Sequence, residues 1–223
     1  MYFKLIMCFA LLVFSSNVFG QVDFGFKAGV NFPSTRVYEP DFIMDGEDIV
    51  GLDKDNLVKM KDKHLTTFYL KGYSSVKLHK KLALEPGITL EGRGGKLPES
   101  EYTASFLFIG VPVNFSYYIP VKKSGDIIVS AGGYYGVNVG GEYEFVSGYE
   151  DNGESILVKE KIPYGKGEEF RRDDYGLNFG LGYKFSKGFL INTEYTIGLR
   201  NHGSFPGEKV HSKGLSIGIG YQI

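Results

Sequence analysis

Between Asp174 and Arg200 the chain alternates oily and polar residues at almost every step. Tyr175, Leu177, Phe179, Leu181, Tyr183 and Phe185 take every second place, with Gly176, Asn178, Gly180, Gly182 and Lys184 between them. A period of two is the pattern of a strand with two unlike faces. After Ser186-Lys187-Gly188 the alternation resumes. Phe189, Ile191, Thr193, Tyr195, Ile197 and Leu199 stand against Asn192, Glu194, Thr196 and Arg200, which predicts an antiparallel hairpin. Gly176, Gly180, Gly182 and Gly198 all fall on the polar face. Small residues there suit the crowded interior of a narrow tube whose apolar face meets lipid.

The same pattern recurs along the chain. Val22, Phe24, Phe26, Ala28, Val30 and Phe32 oppose Asp23, Gly25, Lys27, Gly29 and Asn31 in a first strand. From Pro33 to His64 the alternation dissolves into a charged loop, long by the standard of compact domains. A second strand covers Leu65 to Leu78 and a third begins at Leu82, with a bulge expected at Pro86, which has no ladder donor. The fourth is set with Leu107, Ile109, Val111, Val113, Phe115 and Tyr117 outward and an irregularity at Pro112. The fifth runs from Asp126 to Phe145, longer than the roughly 9–11 residues a tilted membrane strand needs. Its extension pairs with Ser155–Ile162 through Asp151-Asn152-Gly153. The opening hairpin supplies two more strands, and His211 to Ile223 the last. Long and short connections alternate. The expectation is all-β: an eight-stranded antiparallel up-and-down transmembrane β-barrel with both termini periplasmic.

The first twenty residues change the picture by giving the chain a destination. Lys4 precedes an apolar run from Leu5 to Phe14, and Val18-Phe19-Gly20 closes a secretory signal, so residues 1–20 read as signal peptide and 21–223 as the outer-membrane β-barrel domain. Cys8, the single cysteine, lies inside the apolar run, so the mature chain has no thiol for a disulfide or a thiolate metal site. Losing Lys4 leaves 24 Lys+Arg, one fewer than the full 25, against 26 Asp+Glu. That balance points away from nucleic acid. No apolar window after the signal is long enough for a helical span.

Several stretches together resemble the outer-membrane β-barrels common in Bacteroidota, the porin-family or PorT-like domain. They are GFKAGVNF at the first strand, LALEPGITLEGRGG at the third, SAGGYYGVNVGG at the fifth, DYGLNFGLGYKF and EYTIGLRN in the central hairpin, and the closing GLSIGIGYQI. The resemblance covers nearly all of the mature chain. It implies a barrel inserted by the outer-membrane assembly machinery. One departure is the terminal Ile223, where such barrels often end in an aromatic residue.

Candidate chemistry lies mainly on the polar faces. Lys27, Lys71, Lys77, Lys184, Glu85, Glu91 and Glu194, with Arg93, Glu142, Glu144 and Arg200 nearer the outer mouth, form an expected lumen charge network, with Lys27, Lys71 and Glu194 near mid-height. Eight strands enclose little more than the side chains themselves, so these charges are expected to pair and plug the tube, the alternative being an ion or proton path. His64, His79, His202 and His211 lack metal-ligand spacing, and His202 with Ser204 shares an ordinary Gly/Pro loop rather than a catalytic frame. Asp45-Gly46-Glu47-Asp48 and Asp53-Lys54-Asp55-Asn56 lack calcium-loop spacing. Phe24, Tyr117, Tyr143, Tyr183 and Tyr221 are placed as interfacial aromatics.

The expected function is a non-enzymatic, cofactor-free outer-membrane scaffold whose external loops contact a protein partner or surface lipid. Expected partners are lipopolysaccharide, which Lys59, Lys61, Lys63, Arg171 and Arg172 suit, and the assembly machinery during insertion. The alternatives are a narrow porin, a lipid-modifying enzyme, and a soluble barrel whose apolar faces turn inward.

Overall fold

A computed structural model of the chain describes residues 22–45, 48–60, 63–97, 102–122, 124–149, 155–163, 171–203 and 207–223. Ten strands occur among them: β1 (Val22–Asp45), β2 (Asp48–Lys59), β3 (Thr67–His79), β4 (Leu82–Leu97), β5 (Tyr102–Val121), β6 (Gly125–Tyr149), β7 (Ser155–Lys161), β8 (Asp173–Phe185), β9 (Phe189–Gly198) and β10 (Lys209–Gln222). All pairings are antiparallel. The order β1-β3-β4-β5-β6-β8-β9-β10 returns to β1 through a ladder from Gly25↔Gln222 to Tyr38↔Lys209, making a ring-like sheet.

This corrects the expectation of an eight-stranded up-and-down barrel. β2 and β3 both run antiparallel to β1 and pair with it in succession, Tyr38↔Lys59 through Asp45↔Asp48 for one and Val22↔Val76 through Asn31↔Thr67 for the other. β7 and β8 do the same along β6, Glu142↔Lys161 through Tyr149↔Ser155 and then Gly125↔Phe185 through Val137↔Asp173. Strict up-and-down order therefore fails at two places. The stretch expected to be an open loop after Pro33 carries the second half of β1 and all of β2. Its alternation is hidden because a hairpin standing beyond the ring has no greasy side to keep.

The ring is oily outside. Phe24, Phe26, Leu70, Ile88, Val111, Phe115, Phe179, Ile191, Ile217 and Ile219 are all exposed, Ile88 to 65% and Ile217 to 52%. Among the buried residues, by contrast, are Asn31, Lys71, Ser75, Glu85, Arg93, Asn114, Asp174, Asn178, Ser216 and Gln222. The soluble alternative needs the opposite arrangement. Among the described residues no helix is long and apolar enough to cross a membrane, so the apolar surface belongs to strands.

Three tight turns, after β3, β5 and β8, share the end where β1 begins and β10 finishes, called here the terminal end. Gly125 (φ 146°) and Gly188 (φ 87°) take backbone angles that side chains disfavour, which allows two of these turns. Inside the ring glycine has a second use, which is room. A β-carbon on Gly25 would sit 2.4 Å from the Tyr73 ring, one on Gly136 2.4 Å from Phe108 and one on Gly176 2.8 Å from Tyr134. Large rings thus fill the interior opposite missing side chains. Pro86 skips ladder contacts between Tyr73↔Gly87 and Val76↔Leu84 without a register change, so the expected bulge is absent there. β5 likewise keeps register through Pro112↔Tyr134.

Candidate functional site

The polar interior is organised as cross-braces at three heights. Near the terminal end, Tyr118 on β5 donates to Glu85 Oε1 at 2.6 Å, and Gln222 on β10 donates to Asp23 Oδ2 at 3.1 Å. Lys77 lies 3.1 Å from Asp23 and Lys184 4.0 Å from Asp126, with the Lys184 ammonium 5.0 Å above the Tyr118 ring.

At mid-height Lys71 on β3 reaches across the ring to Glu194 on β9, its Nζ 2.8 and 2.7 Å from the two carboxylate oxygens. Lys27 stands beside Lys71 in the β1–β3 register and places its ammonium 4.7 Å from the Tyr73 ring centroid. Beside this pair, Asn192 on β9 donates to the Tyr69 hydroxyl on β3 at 3.0 Å.

Toward the hairpin end the centre is Asp174, at the start of β8 and 1% exposed. Its carboxylate takes bonds from Ser212 at 2.8 Å and Tyr134 at 3.0 Å, and pairs with Arg93. His202 Nε2 is 3.3 Å from its other oxygen. Arg93 also donates to Glu91 at 2.6 Å and lies 3.4 Å over the Phe108 ring. A narrow polar cleft beside this cluster, lined by Asn31, Ser34, Glu91, Arg93, Thr196 and Ser212 among others, has room for about one water molecule.

Chemically this is a bracing set. Asp174 sits between Ser212 and His202, whereas hydrolytic triads place the histidine between nucleophile and acid. Among the described residues no group of three or more His, Cys, Asp or Glu is arranged to hold a metal ion.

Three sequence assignments along β6 need correction. Glu142, expected in the lumen, is exposed, and Tyr143, expected outward, is 7% exposed and packs on Tyr102 at 5.0 Å. The cause is a register shift: Leu107 pairs with Gly140 but Phe108 with Asn138, which leaves Val139 as the extra residue and turns the rest of β6 over. Glu144 follows Glu142 outward and pairs with Lys159 at 2.8 Å. That hydrogen bond and charge hold the Lys159 ammonium's pKa above its ordinary value. Arg200 lies past the end of β9, half-buried and 3.3 Å from Asp173. His64 and His79 are exposed. Residues 1–20, Gly46, Glu47, Lys61, Asp151–Gly153 and Ser204 lie outside the described residues.

Sequence reasoning passed over Asp174, Tyr134, Tyr118 and Gln222. Their signal was phase, because each falls on the same alternate positions as the buried polar residues of its own strand.

An apolar outer surface around a braced polar interior defines a β-sheet protein built to sit in a membrane. Residues 14–202 match the outer membrane protein beta-barrel domain, and the chain belongs to that family; it is an outer-membrane protein. No curated protein matches the sequence. Among solved structures, Ail, the attachment invasion locus protein of Yersinia pestis in complex with the heparin analogue sucrose octasulfate, is 16% identical. That match covers 90% of this chain and 99% of Ail with a TM-score of 0.40. OprG from Pseudomonas aeruginosa is also 16% identical, covering 90% and 95%, at 0.42. The outer membrane protease OmpT from Escherichia coli is 10% identical, covering 92% and 97%, at 0.38.

Proposed function

We propose that the chain is a non-enzymatic outer-membrane anchor that presents the β1–β2 and β6–β7 hairpins to partners or surface lipid. One observation carries this reading: the interior side chains are spent on one another, through Lys71–Glu194, Glu85–Tyr118 and Arg93–Asp174. A ring braced in this way at several heights suits support better than passage. In the same reading residues 1–20 are a secretory signal, residues 21–223 form the outer-membrane domain, and both termini face the periplasm. The charge network of Lys27, Lys71, Lys77, Glu85, Glu91, Arg93, Lys184 and Glu194 is structural. The strand motifs keep the chain near the PorT-like proteins of Bacteroidota.

The test is electrical. Purified protein reconstituted in planar bilayers is expected to give no steady conductance, and a reproducible unitary current would replace the anchor with a pore.

A further inference from the structure

We infer that the turns at the terminal end form a cationic collar that holds anionic glycerophospholipids of the leaflet around that end. This rests on the anchor reading above and deepens it. The three turns are Lys80-Lys81 between β3 and β4, Lys122-Lys123-Ser124 between β5 and β6, and Ser186-Lys187-Gly188 between β8 and β9, and none contains an acid. Lys123 lies outside the described residues. Lys80, Lys81, Lys122 and Lys187 are exposed, and among the described residues none of them is in an ion pair or a side-chain hydrogen bond. The side-chain carboxylates nearby are engaged elsewhere: Asp23 lies 3.1 Å from Lys77, Asp126 4.0 Å from Lys184, and Glu85 accepts from Tyr118 at 2.6 Å. The turn lysines are left without a counter-charge on their own rim.

Placement and depth identify the ligand. In the ring order the turns occupy three of the four junctions on this rim, and β1 and β10 meet at the fourth. Charge spread around the whole circumference suits a ligand that surrounds the ring, as lipid does. Leu78, Ile119 and Phe185 are exposed apolar residues, and Lys80, Lys122 and Lys187 follow them by two or three positions. At a rise of about 3.4 Å per residue and a tilt of about 40°, the lysines stand roughly 5–8 Å past the last apolar side chains. The headgroup layer of a bilayer is about 5–7 Å thick, so their ammonium groups lie at phosphate depth. Aromatic side chains mark the same level. Tyr183, Phe185 and Phe189 pack in a row beside Lys187, their ring centroids 4.9 and 5.9 Å apart, and Tyr117 and Tyr221 are exposed at this end.

Lys122 adds a second kind of observation. Its φ is 43°, a conformation that residues other than glycine seldom adopt, so a lysine there points to a use for its charge. The hairpin end differs, because its charges come in opposite-sign pairs, with Glu144 on Lys159 and Asp173 on Arg200. Turns of two or three residues also give a protein little backbone to grip, whereas a phosphate needs only the ammonium.

The full chain would be refolded into phosphatidylcholine vesicles carrying a trace of spin-labelled phosphatidylglycerol or of spin-labelled phosphatidylcholine. Electron spin resonance then reads the fraction of each label immobilised at the protein. Wild type is expected to prefer phosphatidylglycerol about three- to fivefold at low salt, and to lose most of that preference in about 0.5 M salt. K80Q/K81Q/K122Q/K187Q should bring the ratio to about one, while K159Q/K161Q/R171Q should keep it. Equal immobilisation of the two lipids by wild type overturns the collar and leaves the lysines to an acidic protein. A preference untouched by the collar variant, or lost equally in both variants, overturns it too. If the fourfold variant does not fold, K80Q and K187Q decide singly, each expected to remove part of the preference. A chain that resists carbonate extraction yet shows no lipid preference sinks the collar alone, whereas a chain that never enters the vesicles sinks the anchor with it.

Discussion

Glu194 is expected to matter more than the lysine it binds. The pair is enclosed, with Lys71 5% and Glu194 17% exposed at the side chain, and both carboxylate oxygens lie within 2.8 Å of the ammonium. Glu194 also feels the charge of Lys27, whereas Glu194 is the carboxylate that Lys71 grips. Removing the acid therefore leaves two neighbouring lysines inside the ring, with Glu85 the remaining carboxylate that acts on Lys27 among the described residues. Stripping one partner from a buried ion pair costs about 3–5 kcal/mol, and E194Q should fall in that range. K71Q leaves Lys27 to serve Glu194, so it should cost about 1–3 kcal/mol, the scale of a lost charged hydrogen bond.

The double variant K71M/E194M removes one charge of each sign and leaves Lys27 with Glu85, so it should come within about 1 kcal/mol of wild type. The chain has no tryptophan. Urea unfolding in lipid vesicles is therefore better followed by the electrophoretic shift between folded and unfolded forms than by fluorescence. A midpoint for K71Q at or below that of E194Q would refute the account of shared charge. A double variant costing the sum of the singles would show that the two side chains are not coupled at all.

Other expected outcomes test the geometry. G218A should be destabilised by about 1–3 kcal/mol in the same assay, since its β-carbon would meet the Ala28 carbonyl oxygen at 2.4 Å, and Y69A should not rescue it because that obstacle is backbone. G25A clashes with a side chain instead, the Tyr73 ring, so G25A/Y73A should cost less than the sum of its single changes. In chains freed of residues 1–20, and so of native cysteine, E142C should react quickly with a membrane-impermeant maleimide and Y143C slowly; the reverse order would place Val139 back in register. Replacing residues 146–157 with a short turn should leave the electrophoretic shift unchanged, because the β6–β8 ladder ends at Val137↔Asp173, below the lost pairs.

The parts legible in the sequence are those where two solvents compete for the two sides of one strand. Phe179, Ile191 and Ile217 could be placed outward because hydrocarbon on one side and a crowded polar interior on the other enforce the alternation. Beyond the membrane that contrast ends, and β2 vanished from view with it, its DIVGLDKDNLVK having no greasy face to show. Val139 misled for a different reason. The letters VNVGGEYEF alternate as if unbroken, and only the backbone pairing reveals that one residue is left out. The adjacent Gly140-Gly141 was the available hint. Asp174 was legible as inward from its phase, but its partners come from β4, β6, β10 and the segment after β9, and no local pattern announces such a meeting.

The division between inside and outside bears on where this protein can recognise anything. Interior groups on β3, β4, β5, β8, β9 and β10 satisfy one another across the ring, and rings such as Phe108 fill the space that the glycines leave. A ligand entering there would have to break a charged pair before gaining a contact, at a cost of several kcal/mol. The outer surface carries no such debt. On the hairpin of β6 and β7, Ile156 and Leu157 are exposed, at 42% and 55%. Under the anchor proposal, these apolar side chains are a surface that a protein partner would gain by covering.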